Sequence, residues 1–326
     1  MQARYKTDPG LLERVLYAFG LLEVLVKVGM KFTFKGGTSL MLLLDHPIRL
    51  STDIDIIVDP GTDVESYIDQ AGTIFPFLRK EEDIRKGRNN IEKRHFKFIY
   101  YSPVRQREFY ILLDIVFMEA PYDRVVTKPI RNDLLVTAPE DLVVTMPTME
   151  CILGDKLTAF APHTTGVLLG EGKELEIAKQ MFDVATLAER MQDQKQFRAT
   201  YDRAVREELA FRGLKLEKEK VLKDTIRACI SIISRGEYDK EAFEADYWYT
   251  LFVSLCSLGE AENPGRRDDI RAMVELTLPK DANIYAAKYE LYPTKFPLKL
   301  DGIFAILYTA HYAIPEGLRI RGGVPI

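Results

Sequence analysis

The amino-acid sequence predicts an α+β fold in two parts: a small mixed β-sheet with flanking helices, followed by a mostly helical C-terminal domain. Three patterns carry this prediction. Residues 10–30 are apolar at helical spacing, strand-like runs recur between residues 52 and 137, and from about residue 148 the periodicity is helical. The change of pattern separates a core of residues 1–145 from a helical domain of residues 146–326.

The first part begins with the amphipathic helix and continues with a second helix at 38–45. Strands are predicted near 52–58, 94–101, 109–117 and 133–137, with a helix near 63–72 and a hairpin turn at 87–90. The second part is predicted as helices at 148–161, 174–192, 195–211, 216–234, 241–258 and 266–276. Prolines interrupt the last fifty or so residues, where no elements are assigned.

The composition is that of a globular enzyme. The chain has 326 residues, 47% of them hydrophobic, and a formal net charge of −4. It contains no apolar run of the roughly eighteen residues that a membrane span requires, and its N-terminus is charged and amphipathic, unlike a secretion signal. Cys151, Cys229 and Cys256 are scattered among apolar neighbours and are predicted to be buried thiols in a reducing compartment. We therefore expect a cytoplasmic protein without membrane association.

A Gly-Gly pair opens the helix at 38–45. Gly36 and Gly37 precede Thr38 and Ser39, and main-chain N–H groups at a helix start favour phosphate. The glycines leave no Cβ between the main chain and a triphosphate, and the two hydroxyls are candidate donors. A lone Gly-Gly pair is more often only a turn.

Two carboxylates follow, at Asp53 and Asp55. Because side chains alternate along a strand, Ser51, Asp53 and Asp55 are predicted to share one face while Ile54 enters the core. Carboxylates on one face repel each other unless a cation lies between them, and Mg²⁺ combines one or two carboxylates with water and phosphate oxygens. Asp-x-Asp also occurs in sugar-nucleotide glycosyltransferases, in calcium loops and on solvated strand edges. Its conjunction with the Gly-Gly turn is more specific, and it predicts a nucleotidyl-transfer site.

The sequence also resembles a known family, the AbiEii-type nucleotidyltransferase toxins of bacterial abortive-infection and toxin–antitoxin systems. The resemblance lies in Lys-Gly-Gly-Thr-Ser at 35–39, Arg-Leu-Ser-Thr-Asp-Ile-Asp at 49–55, the strand 111–116 with Asp114, the helix 151–159 with Lys156, and the helix 179–187 with Asp183. It spans about residues 30–190 in the right order, and it implies a nucleotidyltransferase-type sheet in the first part.

The resemblance implies roles for the acidic residues. Asp53, Asp55 and Asp114 would hold Mg²⁺ or Mn²⁺, with Asp114 also a candidate to accept the proton of the attacking hydroxyl. An idle carboxylate in an apolar strand is costly, which favours a function for Asp114.

The remaining roles concern the nucleotide. Lys156 would meet the triphosphate, Ser51 a phosphate oxygen, and Asp183 would orient Lys156 or contact the base or ribose. Without the resemblance, Lys156 is as easily a solvated helix residue, and Asp183 a helix cap or an ion-pair partner.

A basic segment suggests an acceptor. Residues 79–107 contain ten Lys or Arg against four acidic residues, between the strands that carry Asp55 and Asp114. Such a segment near the site would guide an RNA backbone, and the alternative is a solvated charged turn between exposed strands.

The predicted function is metal-dependent transfer of a nucleoside monophosphate from an NTP to a hydroxyl acceptor. RNA, such as a tRNA 3′ end, is the favoured acceptor, and the resemblance implies a toxin with a cognate antitoxin. Three alternatives stay open: a protein or small-molecule acceptor, a nucleotide-binding module without catalysis, and a sugar-nucleotide glycosyltransferase.

Overall fold

The structure is a computed structural model that describes residues 8–44, 47, 49–74, 76–83, 92–132, 142–169, 171 and 173–234. The chain divides into two compact units, Met1–Thr148 and Met149–Ile326. The described elements of the first unit are α1 (Pro9–Lys27), β1 (Thr33–Lys35), α2 (Gly36–Leu43), β2 (Ile54–Val58), α3 (Glu65–Gly72), β3 (Phe77–Glu82), β4 (Lys93–Ser102), β5 (Arg107–Phe117), β6 (Val125–Pro129) and β7 (Val143–Pro147).

The first unit is built on a mixed sheet, as predicted. Its five strands lie in the order β1-β2-β5-β4-β3, with β2 and β5 parallel and the other neighbours antiparallel. A second sheet consists of the antiparallel pair β6 and β7. The strands predicted near 94–101 and 109–117 are confirmed as the long antiparallel pair β4 and β5. The parallel pairing of β2 and β5 brings two strands together that are far apart in the sequence.

One face of the five-stranded sheet carries the core. Ile111, Leu113 and Ile115 alternate along β5 and are fully buried, together with Phe96 and Phe98 of β4. Apolar side chains of α1 and α3 belong to the same buried cluster. The residues between them on β5 point to the opposite face, because successive side chains of a strand alternate. Asp55 of β2, His95 of β4 and Asp114 of β5 lie on that opposite face.

Some strands escaped the sequence analysis. Four of the six residues of β3 are charged, and only its first, Phe77, is buried. β1 spans three residues. Neither β6 nor β7 was predicted, and the strand predicted at 133–137 and the turn at 87–90 lie outside the described residues. A charged or very short strand carries little alternation, so its pairing is decided by its neighbours in the sheet.

The second unit is helical in its described part. It contains α4 (Met149–Ala159), α5 (Glu174–Arg190), α6 (Gln194–Arg212) and α7 (Lys218–Ser234), each close to a predicted helix. A Cβ at Gly154 would lie 2.8 Å from the main-chain nitrogen of Tyr201, so α4 and α6 pack with their backbones close together. The helices predicted at 241–258 and 266–276 lie outside the described residues.

Two sequence predictions concern burial and membranes. Cys151 is a buried thiol, and the Thr200 hydroxyl donates to its sulfur at 3.2 Å. The side chains of Cys229 and Cys256 lie outside the described part of the chain. Among the described helices, none is both long enough and apolar enough to cross a bilayer.

Candidate active site

Asp55 and Asp114 lie side by side in the sheet. The parallel register of β2 and β5 pairs these two residues directly, and it pairs the buried Ile54 with the buried Leu113. Because the apolar pair enters the core, the two aspartates face the other side, where both are partly exposed. Two carboxylates predicted from distant segments are therefore neighbours on one face.

Asp53 lies just before β2. The predicted strand began at residue 52, whereas the observed strand begins at Ile54, so the alternation argument does not extend to Ser51 or Asp53. The Asp53 carboxylate is 3.6 Å from Nη2 of Arg14, a residue of α1. Its main-chain carbonyl accepts a hydrogen bond from the Thr38 hydroxyl at 2.5 Å. Asp53 is thus held from both ends by helices.

The two glycines make room for side chains of the site. Gly36 has a φ of +79°, and a Cβ there would overlap the Asp55 carboxylate. A Cβ at Gly37 would lie 2.5 Å from Nη2 of Arg49 and 2.9 Å from Oγ of Ser51. The absence of a Cβ at Gly36 and Gly37 therefore makes room for the side chains of Asp55, Arg49 and Ser51.

The hydroxyls of Thr38 and Ser39 are engaged within the protein. Both residues are fully buried, and the Ser39 hydroxyl donates to the Gly36 carbonyl at 2.8 Å. With the Thr38 bond to Asp53, each hydroxyl proton is donated to a main-chain carbonyl. The two hydroxyls are therefore not free donors, as the sequence analysis expected. A contribution of Thr38 and Ser39 to nucleotide binding is kept as a prediction for their main-chain N–H groups.

A histidine and a lysine flank the two carboxylates. β1 pairs Lys35 with Asp55, and β4 pairs His95 with Asp114, so the four residues form one row across four strands. Nδ1 of His95 is 2.6 Å from Oδ1 of Asp114. Lys35 entered the sequence analysis only as part of the family motif, and His95 did not enter it. His95 and Lys97 alternate with phenylalanines and so indicate a polar face on β4. Only the strand register shows that His95 is paired with Asp114.

Two arginines also belong to the site. Arg49 is almost fully buried, and its Nη1 donates to the Leu50 carbonyl at 3.2 Å. Arg14 lies beside Asp53, with its guanidinium carbon 5.5 Å from the centre of the Phe109 ring. Nothing local in the sequence of α1 indicates that Arg14 reaches the site, because this contact depends on how the helix packs on the sheet.

The donor set of the first unit suits a divalent cation that is bound together with a nucleotide. Within the described ranges, no three His, Cys, Asp or Glu side chains are clustered closely enough to hold an ion alone. Asp55 and Asp114 offer two neighbouring carboxylates on one face. One or two carboxylates, with phosphate oxygens and water, are what Mg²⁺ uses in nucleotide sites.

Lys156 and Asp183 form a buried ion pair in the second unit. Nζ of Lys156 is 2.8 Å from Oδ2 of Asp183 and donates to Oε1 of Gln180 at 3.2 Å. The side chains of Lys156 and Asp183 are 8% and 0% exposed. The alternative of a solvated Lys156 is thus wrong. The ion pair agrees both with an Asp183 that orients Lys156 for a nucleotide and with an Asp183 that is only an ion-pair partner, so the orienting role stays a prediction.

Four of the seven described cations of the basic segment form ion pairs. Arg79 pairs with Glu108 and Arg94 with Glu82, each at 2.8 Å. Lys80 pairs with Glu65 at 2.8 Å, and Lys97 with Asp83 at 3.5 Å. Arg85, Lys86 and Arg88 lie outside the described residues. Because Arg79, Lys80, Arg94 and Lys97 are paired with carboxylates, a positively charged surface in residues 79–107 would come mainly from the other Lys and Arg residues of the segment.

Two solved structures resemble the chain weakly. A protein from H. pylori with a provisional nucleotidyltransferase name is 15% identical, with 66% of this chain and 93% of that chain covered and a TM-score of 0.28. JHP933 from Helicobacter pylori is 17% identical, with 71% and 97% covered and a TM-score of 0.27. Scores this low carry no argument about fold or site. No curated protein matches the chain.

The family model decides the assignment. The model of the AbiEii nucleotidyltransferase toxins of type IV toxin–antitoxin systems matches residues 21–248, which include every predicted site residue. Because the matched family consists of nucleotidyltransferases, the alternative of a sugar-nucleotide glycosyltransferase is wrong. The row of Lys35, Asp55, Asp114 and His95, with the Gly-Gly turn against Asp55, lies within the matched residues, and the chain belongs to the AbiEii nucleotidyltransferase toxin family.

Proposed function

We propose that this nucleotidyltransferase moves a nucleoside monophosphate from an NTP to a hydroxyl of RNA, such as a tRNA 3′ end, and that it requires Mg²⁺ or Mn²⁺. The pairing of Asp55 with Asp114 carries the proposal, because two partly exposed carboxylates on adjacent parallel strands are a poor arrangement unless a cation shares them.

Asp55 and Asp114, with Asp53 beside them, are the residues that would hold the cation. When bound, a divalent ion stabilises the charge on the transferring phosphate and the departing pyrophosphate. Asp114 has a second candidate role, to accept the proton of the attacking hydroxyl.

We propose that Lys156 and Ser51 contact the phosphates of the nucleotide. Lys156 is the first candidate, because Asp183 and Gln180 hold its ammonium group in one position. An oriented point charge requires less ordering when an anion binds. Ser51, which lies against Gly37, is the candidate to contact a phosphate oxygen together with the main chain of Gly36 and Gly37.

RNA is favoured as the acceptor by the basic segment of residues 79–107. Arg85, Lys86 and Arg88 are the cations to test first, because they lie closest together in the sequence of this segment. The family is one of toxins with antitoxins. We therefore propose that the activity arrests growth and that a cognate antitoxin counteracts it.

The experiment that tests this proposal identifies donor and acceptor together. The purified protein is incubated with each NTP, labelled at the α-phosphate, and with Mg²⁺ and either total RNA, total protein or small metabolites. We expect label in RNA with one preferred NTP. Label in protein or in small molecules would overturn the RNA acceptor, and the absence of transfer to all three acceptors would favour a nucleotide-binding module without catalysis.

A growth assay tests the toxin proposal separately. Regulated expression of the wild-type chain is compared with that of Asp55→Asn at equal protein level. We expect growth arrest by the wild type only. Equal arrest by both chains would show that toxicity does not depend on this site.

A further inference from the structure

We propose that His95 is a positioning residue, which fixes the Asp114 carboxylate by a hydrogen bond to Oδ1 and leaves Oδ2 to the metal and nucleotide. This inference rests on the proposed function, because it assigns a purpose to a contact with one of the proposed metal ligands.

The hydrogen bond itself is short and well placed. Nδ1 of His95 lies 2.6 Å from Oδ1 of Asp114, and the two residues are directly paired in the antiparallel register of β4 and β5. A carboxylate only accepts hydrogen bonds, so the proton of this bond is on the histidine nitrogen. The side chains are 15% and 27% exposed, and restricted access to water strengthens a bond to an ionised group.

The main chain of His95 is held by both neighbouring strands. β4 lies between β5 and β3 in the sheet, and the main-chain nitrogen of Asp83 donates to the His95 carbonyl at 2.7 Å. The main chain of His95 is therefore fixed, and its ring can follow the Asp114 carboxylate only by rotating about its own side-chain bonds. Together with the 2.6 Å hydrogen bond, this restricts the rotation of Asp114.

His95 lies on one side of Asp114, and the negatively charged Asp55 lies on the other. Asp114 faces Asp55 on the neighbouring strand, and two adjacent carboxylates tend to turn away from each other. A donor on the far side of Asp114 holds one oxygen away from Asp55 and fixes the plane of the carboxylate. Histidines and other partners behind metal-binding carboxylates commonly act in this way, and their loss costs about 10–100-fold in metal affinity or activity.

The test compares a variant that lacks the donor with one that keeps it. His95→Leu and His95→Asn have nearly the same shape, but only asparagine offers an N–H near the position of Nδ1. Mn²⁺ is titrated into each protein in the presence of each of the four NTPs, and the enhancement of water-proton relaxation distinguishes protein-bound Mn²⁺ from Mn²⁺ that is chelated by free NTP. We expect His95→Leu to bind Mn²⁺ about 10–100-fold more weakly and His95→Asn to recover most of this loss.

A double-variant cycle separates positioning from a general structural effect. If His95 acts through Asp114, adding His95→Leu to Asp114→Asn causes no further loss of Mn²⁺ affinity. Additive losses, or a His95→Leu protein that binds Mn²⁺ like the wild type, would overturn the proposal. Thermal unfolding checks that each variant folds, and His95→Ala replaces His95→Leu if the latter does not.

The same titration distinguishes this inference from the function on which it rests. Asp55→Asn that binds Mn²⁺ and NTP like the wild type would mean that the proposed metal site is wrong. A weakened Asp55→Asn beside an unaffected His95→Leu would leave the metal site standing and remove only the role of His95.

Discussion

Gly36 and Asp55 are packed so closely that the glycine has no room for a side chain. A Cβ at residue 36 would overlap the Asp55 carboxylate, and the residue has a φ of +79°. The turn that opens α2 and the strand that carries the carboxylate are therefore fitted to each other. The Gly-Gly motif of the sequence belongs to the acidic site through this contact.

Gly36→Ala is expected to damage both stability and metal binding. A residue with a Cβ at this φ costs on the order of 1–3 kcal/mol, and Asp55 must also move. Gly29 provides a matched control, because it has the same φ of +79° and nothing within 4 Å of a Cβ. In urea unfolding and Mn²⁺ titration, Gly29→Ala should lose stability only. Equal metal affinity in both variants would show that Asp55 tolerates the displacement.

Lys156→Ala is expected to destabilise the protein as well as to impair nucleotide binding. It leaves the fully buried Asp183 without its ammonium partner at 2.8 Å, and breaking a buried ion pair typically costs about 3–5 kcal/mol. The double variant Lys156→Met with Asp183→Leu removes both charges and should recover much of the free energy of unfolding.

NTP affinity in the double variant isolates the substrate role of Lys156. We expect the NTP affinity of the double variant to remain below that of the wild type, although its free energy of unfolding is largely recovered. Recovery of NTP binding together with stability would mean that Lys156 is only structural.

The ion pairs around Glu65 predict a pH dependence of stability. Hydrogen bonds from Lys80 and Arg94 hold the pKa of Glu65 below its usual value, and Arg94 does the same to Glu82. A carboxyl with a lowered pKa in the folded state stabilises above its unfolded pKa of about 4.3, and this stabilisation is lost as the pH falls through the folded value.

Glu65→Gln should therefore flatten the fall in the free energy of unfolding as the pH drops below about 4.3. Urea titrations over this range, at low and high salt, provide the measurement. Identical pH curves for wild type and variant would contradict the assignment.

Reversing the charges of Arg85, Lys86 and Arg88 to Glu should weaken RNA binding and leave NTP binding unchanged. The log–log dependence of RNA affinity on salt should flatten by about 0.7–0.9 for each RNA phosphate that the variant no longer neutralises. The control changes the charge by the same amount on the second unit, at the exposed Lys215, Lys220 and Lys223. Equal effects of the two triple variants would show that the basic segment has no special role.

The sequence indicates which residues are candidates for the site, but not how the fold arranges them. Asp53, Asp55 and Asp114 stand out because carboxylates are rare at the ends and within apolar strands, which is a local property. The pairing of His95 with Asp114 depends on the register of two strands joined by a hairpin, and that of Asp55 with Asp114 on a parallel contact between distant segments. No local pattern contains this information.

The contacts of Thr38 and Arg14 with Asp53 could not be predicted from the sequence either. A hydroxyl after a Gly-Gly turn looks available in the sequence, but in the fold it is buried against Asp53. Arg14 reaches the same aspartate from a helix whose sequence shows only an amphipathic face. Both contacts arise from the packing of helices on the sheet.

The most direct test of the account asks whether Asp55 and Asp114 form the metal-dependent site. Transfer from α-labelled NTPs is measured for the wild type, Asp55→Asn, Asp114→Asn and the control Asp59→Asn, whose carboxylate is exposed just after β2. We predict Mg²⁺-dependent transfer that EDTA abolishes, retained by Asp59→Asn. The two site variants should lose more than the roughly 100-fold that removal of an outer partner can cost. Full activity in a protein that carries both site substitutions would contradict the account.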